Sequence, residues 1–248
     1  MQWLVRYLGW HRTGNRLNGS HVGASDPATG APVASVTMQI TQHEGGRSSA
    51  TVARRSLAQG LAAAVVIGLG VGALTAYGQG WLSDSTASFS NSAGPWSLAA
   101  FLVARYNRRV LPGLIAAMAT LACCELGYAI ATVIRGDSNS TSTVVFWLTA
   151  ALLAGPPLGV AGAWSSGRGL RRGVGFAVIG GVLIGEGPYG WTTVADTTDW
   201  RYWAIELLIG VTIATAAAVR SQYPRHVLPT VAAAISTAAV VFAFYRLA

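Results

Sequence analysis

Apolar stretches long enough to cross a bilayer occur six times along the chain: Leu57–Tyr77, Val110–Ile134, Thr143–Trp164, Gly173–Gly190, Tyr202–Val219 and Val227–Tyr245. A helical span needs roughly 20 predominantly apolar residues to cover about 30 Å of hydrocarbon. A further run, Gly94–Ala104, is too short to cross alone. Begun near Asn91 or Ser92, with Pro95 in its first turn, that helix reaches about 20 Å at the standard rise and counts as a short second span. Read instead as a re-entrant hairpin, it would reverse the sidedness of everything after it. The pattern predicts an all-α polytopic membrane bundle of seven transmembrane helices.

Composition agrees with that pattern. Of 248 residues, 52% are hydrophobic and only 10% are charged, against about a quarter charged in soluble domains. A water-exposed globule is excluded, as is disorder over most of the chain. There are 17 basic residues against 9 acidic ones, for a net charge of +8, and every basic residue is Arg. With seven spans and a cytoplasmic amino terminus, one side collects Arg54, Arg55, Arg105, Arg108, Arg109, Arg168, Arg171, Arg172, Arg220 and Arg225. The other side holds only Arg135, Arg201 and Arg246. This asymmetry in short loops predicts an N-in, C-out orientation. Six spans would scatter the arginines over both faces. The basic loops are short and carry no binding motif, so no nucleic-acid partner is expected.

Rings mark the two boundaries. Tyr77, Trp81, Trp147, Trp191, Trp200, Tyr202, Trp203 and Tyr245 fall near the outer one, and Tyr106, Trp164 and Tyr223 near the inner one. Amphipathic rings favour the headgroup level. Residues 1–55 read as a mostly disordered cytoplasmic tail, with a short interfacial helix over 2–10, ahead of a transmembrane domain at 56–248. The start of the chain lacks a signal-peptide cleavage site, and Met38 offers an alternative start.

Two stretches repeat in the same register: RRVLPGLIAAMATLA at 108–122 and RHVLPTVAAAISTAA at 225–239 match at eight of fifteen positions, and each reaches a tyrosine at one common offset, Tyr128 or Tyr245. Repetition of this kind is common in transporters, and Ala-rich helices starting from Arg-Pro edges also look alike by chance. The first span carries Gly60, Ala64, Gly68, Gly72 and Ala76 at four-residue spacing, a smooth strip that lets another helix approach closely. Its partner is a helix of the same chain or, alternatively, a second subunit.

Chemistry points to three carboxylates inside apolar segments: Glu125, Glu186 and Glu206. A carboxylate there needs a partner, a cavity or a proton. Counted from the inner helix ends, all three lie about 20 Å deep, in the outer third of the membrane. Each has a tyrosine one turn further out, Tyr128, Tyr189 and Tyr202, at spacings that share a helix face. Arg135 and Arg201 are the nearest cations, at the outer rim. The expectation is a wet, outward-facing cavity lined by these six residues, suited to a small cationic solute or a coupling proton. The competing reading has each acid satisfied locally at an irregular helix end, as at Gly187-Pro188. Gly155-Pro156-Pro157 predicts a kink or unwinding in the fourth span, and Ser83–Ser92 would cap the cavity from outside.

Enzyme signals are thin. His11, His21 and His43 lie in the tail and His226 in an inner loop, so no metal site is expected. The adjacent Cys123-Cys124 pair gives neither a disulfide framework nor metal-ligand spacing. No nucleophile elbow or phosphate-cradling loop appears. No cofactor or catalytic residue is expected.

Asn91–Arg105 (NSAGPWSLAAFLVAR), Ser140–Trp147 (STSTVVFW) and Gly185–Asp199 (GEGPYGWTTVADTTD) resemble an uncharacterised family of small multi-pass membrane proteins from actinobacteria, a domain of unknown function. The resemblance spans about residues 57–220 and implies a plasma-membrane address without an activity. In outline the bundle is also similar to the substrate-binding subunits of energy-coupling-factor vitamin transporters, from which the seventh helix departs. Two functions from different classes follow. One is binding or transport of a small solute in the acid-lined cavity. The alternative is a non-catalytic membrane partner or assembly subunit packing through the Gly/Ala strip.

Overall fold

A computed structural model of the chain describes residues 34–82, 88–90, 92–194, 199–220 and 223–247, with side chains from residue 57 onward. The expected interfacial helix at 2–10 and the tail up to residue 33 lie outside the described residues. The chain divides into two compact units, Met1–Gly46 and Arg47–Ala248; of the first only helical backbone from Ala34 is described, and the site lies within the second.

Among the described residues seven α-helices follow one another: α1 (Ala34–Trp81), α2 (Gly94–Asn107), α3 (Val110–Ile134), α4 (Thr141–Ser165), α5 (Gly169–Thr193), α6 (Trp200–Val219) and α7 (Val227–Leu247). Short 3-10 turns at Ser88–Ser90 and Pro224–His226 precede α2 and α7, and among the described residues there is no strand. Among the described residues five segments are long and apolar enough to cross a membrane: Leu57–Gln79, Val110–Ile134, Thr141–Ser165, Trp200–Val219 and Pro224–Arg246. This is an integral, multi-pass membrane protein.

The backbone of α1 is helical from Ala34, although a disordered tail is expected as far as residue 55. No proline lies between Pro32 and the apolar span, so nothing interrupts the hydrogen-bond ladder on its way out of the membrane.

The two remaining helices, α2 and α5, are unlike the others. α2 has only 14 residues, about 21 Å at the helical rise. α5 is long but rich in glycine, and it sits at the centre, packed against α4, α6 and α7. Its glycines serve three contacts. Gly180, Gly187 and Gly190 meet α6, Gly181 and Gly185 meet α7, and Gly175 meets the Ala161–Ser165 backbone of α4. Neighbouring helices provide the lipid-facing surface, so α5 does not need the apolar content of a helix that meets lipid.

Neither proline site breaks its helix. α4 runs through Pro156 and Pro157, and α5 through Pro188. Gly155 and Gly159 let α4 lie directly against Met118 and Leu114 of α3, and close neighbours of this kind hold a proline-containing membrane helix in register.

The strip on α1 faces α3 and the end of α2. Gly60 abuts Asn107, Ala64 packs with Val103 and Ala116, Gly68 meets Thr120 and Cys123, and Gly72 meets the backbone at Cys124 and Tyr128. Ala76 is buried, and its carbonyl accepts from Arg135 Nη1. Covered along its length by the chain's own helices, the strip offers no surface to a second subunit.

Arginine gathers at one end of the bundle. Arg105 Nη1 donates to the Ser165 carbonyl at 2.6 Å and to its hydroxyl at 2.8 Å, and Ser166 Oγ donates to the Arg105 carbonyl at 2.8 Å. The Arg105 guanidinium lies 5.1 Å from the centre of the Phe176 ring. The ends of α2 and α4 and the start of α5 are thereby tied together at a single level.

Candidate functional site: a buried carboxyl pair at the start of the short helix

A helix begins with backbone N–H groups that have no partner within it. α2 begins inside the protein, with Ala93 at its cap and no capping side chain of its own. One missing acceptor arrives from a distant helix and another from the residue just before the cap. Glu186 Oε1, on α5, accepts the Ala93 N–H at 2.7 Å. Ser92 Oγ accepts the Gly94 N–H at 3.0 Å and donates to Glu206 Oε1, on α6, at 3.1 Å. Tyr245, on α7, donates its hydroxyl to Glu186 Oε1 at 2.9 Å. The positive end of a helix dipole favours carboxylates at this position.

The two carboxyl groups are neighbours. Glu186 is 0% exposed and Glu206 5% exposed, and Oε2 of each lacks a hydrogen-bond partner. Tyr202 lies beside Glu206 and Ser92, while Tyr189 stacks on Tyr245 with centroids 4.3 Å apart. Two glycines make room. A Cβ at Gly94 would collide with Glu206 Oε1, and one at Gly190 would collide with the indole of fully buried Trp203.

Glu125 does not join this pair. It is 2% exposed on α3, one turn beyond Leu121, on the face that Ala117 and Leu121 turn toward α2 and α4. Its Oε2 is also unpartnered. Tyr128 donates to Gln79 Oε1 at 2.8 Å and meets Trp96 edge-on, and Trp96 Nε1 donates to Thr75 Oγ1 at 3.0 Å. The expected hollow of three acids is thus a pair and a separate third. α3 packs on α1, α2 and α4, whereas α6 and α7 flank α5.

Of the same-helix tyrosines, Tyr202 stays beside its acid, Glu206, and the other two face elsewhere. Tyr128 turns to α1, and Tyr189 stacks on the tyrosine that holds Glu186. The rim arginines pair elsewhere, Arg135 with Asp137 at 3.2 Å and Arg201 with Asp199 at 3.8 Å. Among the described residues no cation reaches a membrane glutamate, and no group of His, Cys, Asp and Glu could hold a metal.

A cavity of about 460 Å³ adjoins the pair. It lies between α4 and α7, which both pack on α5 and barely touch each other. Glu186 and Tyr245 line it, as do Trp96 and Trp147, with Leu158 and Val182 among its apolar walls. Of the six residues expected to form an outward-facing cavity, Glu186 alone lines this one. The opening is also sideways: Leu153 and Val240, on its walls, are 70% and 68% exposed on the bundle's flank, and Phe146 stacks on Phe244 at 6.0 Å across the gap.

Residues 51–248 match the model of a family of unknown function, DUF6518. The chain belongs to that family. No curated protein and no solved structure matches it. The DUF6518 match takes in α1 from residue 51 onward, α2 to α7 and every residue of the carboxyl pair's surroundings, and extends past the 57–220 stretch over which the resemblance is visible.

Sequence reasoning overlooked Ser92, the Ala93 N–H, Trp96 and Tyr245 as parts of the site. Two signals pointed to them. Ser92–Trp96 falls inside the family-like stretch at 91–105, and Tyr245 occupies the same repeat offset as Tyr128. Both of those tyrosines donate to a polar side chain on another helix.

Proposed function

We propose that this DUF6518 protein crosses the plasma membrane seven times, N-in and C-out, and binds a small cationic solute at the Glu186–Glu206 pair. One observation carries the reading. Glu186 stands at the wall of an apolar, aromatic-lined cavity, buried, with no cation beside it and one oxygen unpartnered. A carboxylate in such a place calls for a counter-charge or a proton. The rings of Trp96, Trp147 and Tyr245 suit a cation through their faces. A carboxyl and a carboxylate side by side share one proton, and an arriving cation displaces it, which is the elementary step of proton-coupled exchange.

The role is binding or movement of a solute, without catalysis. The orientation is supported by the arginine asymmetry between loops and by the cluster around Arg105 and Ser165. No observation favours an assembly subunit docking through α1, whose strip faces α3.

Thermal unfolding of the purified protein against a panel of organic amines at several pH values tests the reading, because a ligand of the native state raises its midpoint. At least one amine raises the midpoint of wild type and of Glu125→Gln, and the rise disappears in Glu186→Gln. A panel with no effect on wild type overturns the proposal, as does a rise that survives Glu186→Gln and vanishes in Glu125→Gln.

A further inference from the structure

Resting on that reading, the shape of the cavity narrows the class of ligand. We infer that the site takes a single-chain amphiphile with an amine head, drawn sideways from the bilayer between α4 and α7. Four observations converge. The mouth lies on the flank of the bundle, where exposed Leu153 and Val240 present apolar side chains. The walls are apolar almost throughout, and the hydroxyl of Thr237, one of the few polar groups on them, is already donated to the Ala233 carbonyl at 2.8 Å.

The groove is elongated. From Val178 to Glu186 it follows α5 for about 12 Å at 1.5 Å per residue. A compact hydrophilic amine would fill only the end beside Glu186 and leave the rest as bare apolar wall. The volume, about 460 Å³, is that of a pocket for a drug-sized molecule.

Polarity runs lengthwise. Glu186 and Tyr245 mark one end, close to the termini of α5 and α7, and Leu158 and Val178 the other, toward the middle of the bundle. An amphiphile in the adjacent leaflet already lies with its head at the interface and its tail at mid-bilayer. It therefore slides into the groove without turning over. The head then meets Glu186 Oε2, the one oxygen of that side chain left without a donor.

Native mass spectrometry of the detergent-purified protein with dodecylamine, dodecanoate and butylamine tests the inference. Wild type retains one dodecylamine per chain and neither of the others. Glu186→Gln loses it at least tenfold, and Val240→Trp, which fills the exposed mouth without touching the carboxyl pair, loses it too. Equal retention of dodecylamine and dodecanoate overturns the inference, since the head charge is then not read. Butylamine bound as well as dodecylamine overturns the inference and leaves the cation site standing, and a protein that binds neither amine removes both. Should Glu186→Gln fail to fold, Val240→Trp decides: full retention of dodecylamine in that variant overturns sideways access.

Discussion

Ala93 and Glu186 are separated by 93 positions in the chain and joined by a 2.7 Å hydrogen bond from the Ala93 N–H to Glu186 Oε1. The bond ties the first turn of the short α2 to the central helix. A helix of 14 residues that starts within the membrane would otherwise expose its orphan donors to a region without water. The carboxyl of Glu186 therefore has a structural duty at one oxygen and an unpartnered position at the other.

That division of labour separates two substitutions. Glu186→Gln keeps an acceptor for Ala93 and Tyr245 and changes stability by about 1 kcal/mol or less. Glu186→Ala strands both donors and lowers stability by about 2–4 kcal/mol. Thermal or denaturant unfolding in detergent reads the difference, and equal losses for the two variants would refute the capping role.

Ser92 links the second acid to the same helix start, accepting from Gly94 and donating to Glu206. A double-mutant cycle of Ser92→Ala and Glu206→Ala should give a coupling of about 1–2 kcal/mol. A cycle of Ser92→Ala with Glu125→Gln should give a coupling near zero, since Glu125 belongs to another part of the bundle.

Glycines on α1 divide sharply by what lies opposite them. A Cβ at Gly72 would strike the Cys124 carbonyl, whereas Gly70 has open space. Gly72→Val destabilises by about 3 kcal/mol through overpacking. Gly70→Ala stabilises by about 0.5–1 kcal/mol, because it removes backbone freedom at no steric cost. Melting midpoints of the two variants should move in opposite directions.

Seven spans and the proposed orientation fix the sides of the loops. In a Cys123→Ala/Cys124→Ala background, Ser138→Cys should react with an impermeant thiol reagent added to intact cells. Arg168→Cys should react only after the membrane is opened. The reverse pattern, Arg168→Cys reached from outside and Ser138→Cys protected, would remove α2 from the count of crossings.

Much of the fold was legible because bilayer thickness imposes length on the sequence. Val110–Ile134 is found with the expected bounds, and the other spans gain a few residues at their ends, where helices continue beyond the hydrocarbon. The break expected at Gly187-Pro188 misled because a helix break is a local inference, and the neighbours beside Gly187 and Gly190, Leu207 and Trp203, come from another helix. The acids illustrate the same limit. Their place inside apolar segments follows from the sequence, but whether Glu125 joins Glu186 depends on how the helices are arranged about the bundle axis. A linear pattern does not encode that arrangement. Tyr245 was hidden for a related reason: its partner is Glu186, on a helix 59 residues away.

The position of α5 bears on how the protein is made. This helix carries Glu186 and glycine contacts on three sides, and it is not among the segments apolar enough to cross a membrane by composition. Released alone from the insertion machinery, it would have little reason to leave water for lipid. Its sheath includes α6 and α7, which are synthesised after it. Biogenesis must therefore hold α5 back, in the translocation channel or at its lateral exit, until the last two helices have emerged to wrap it.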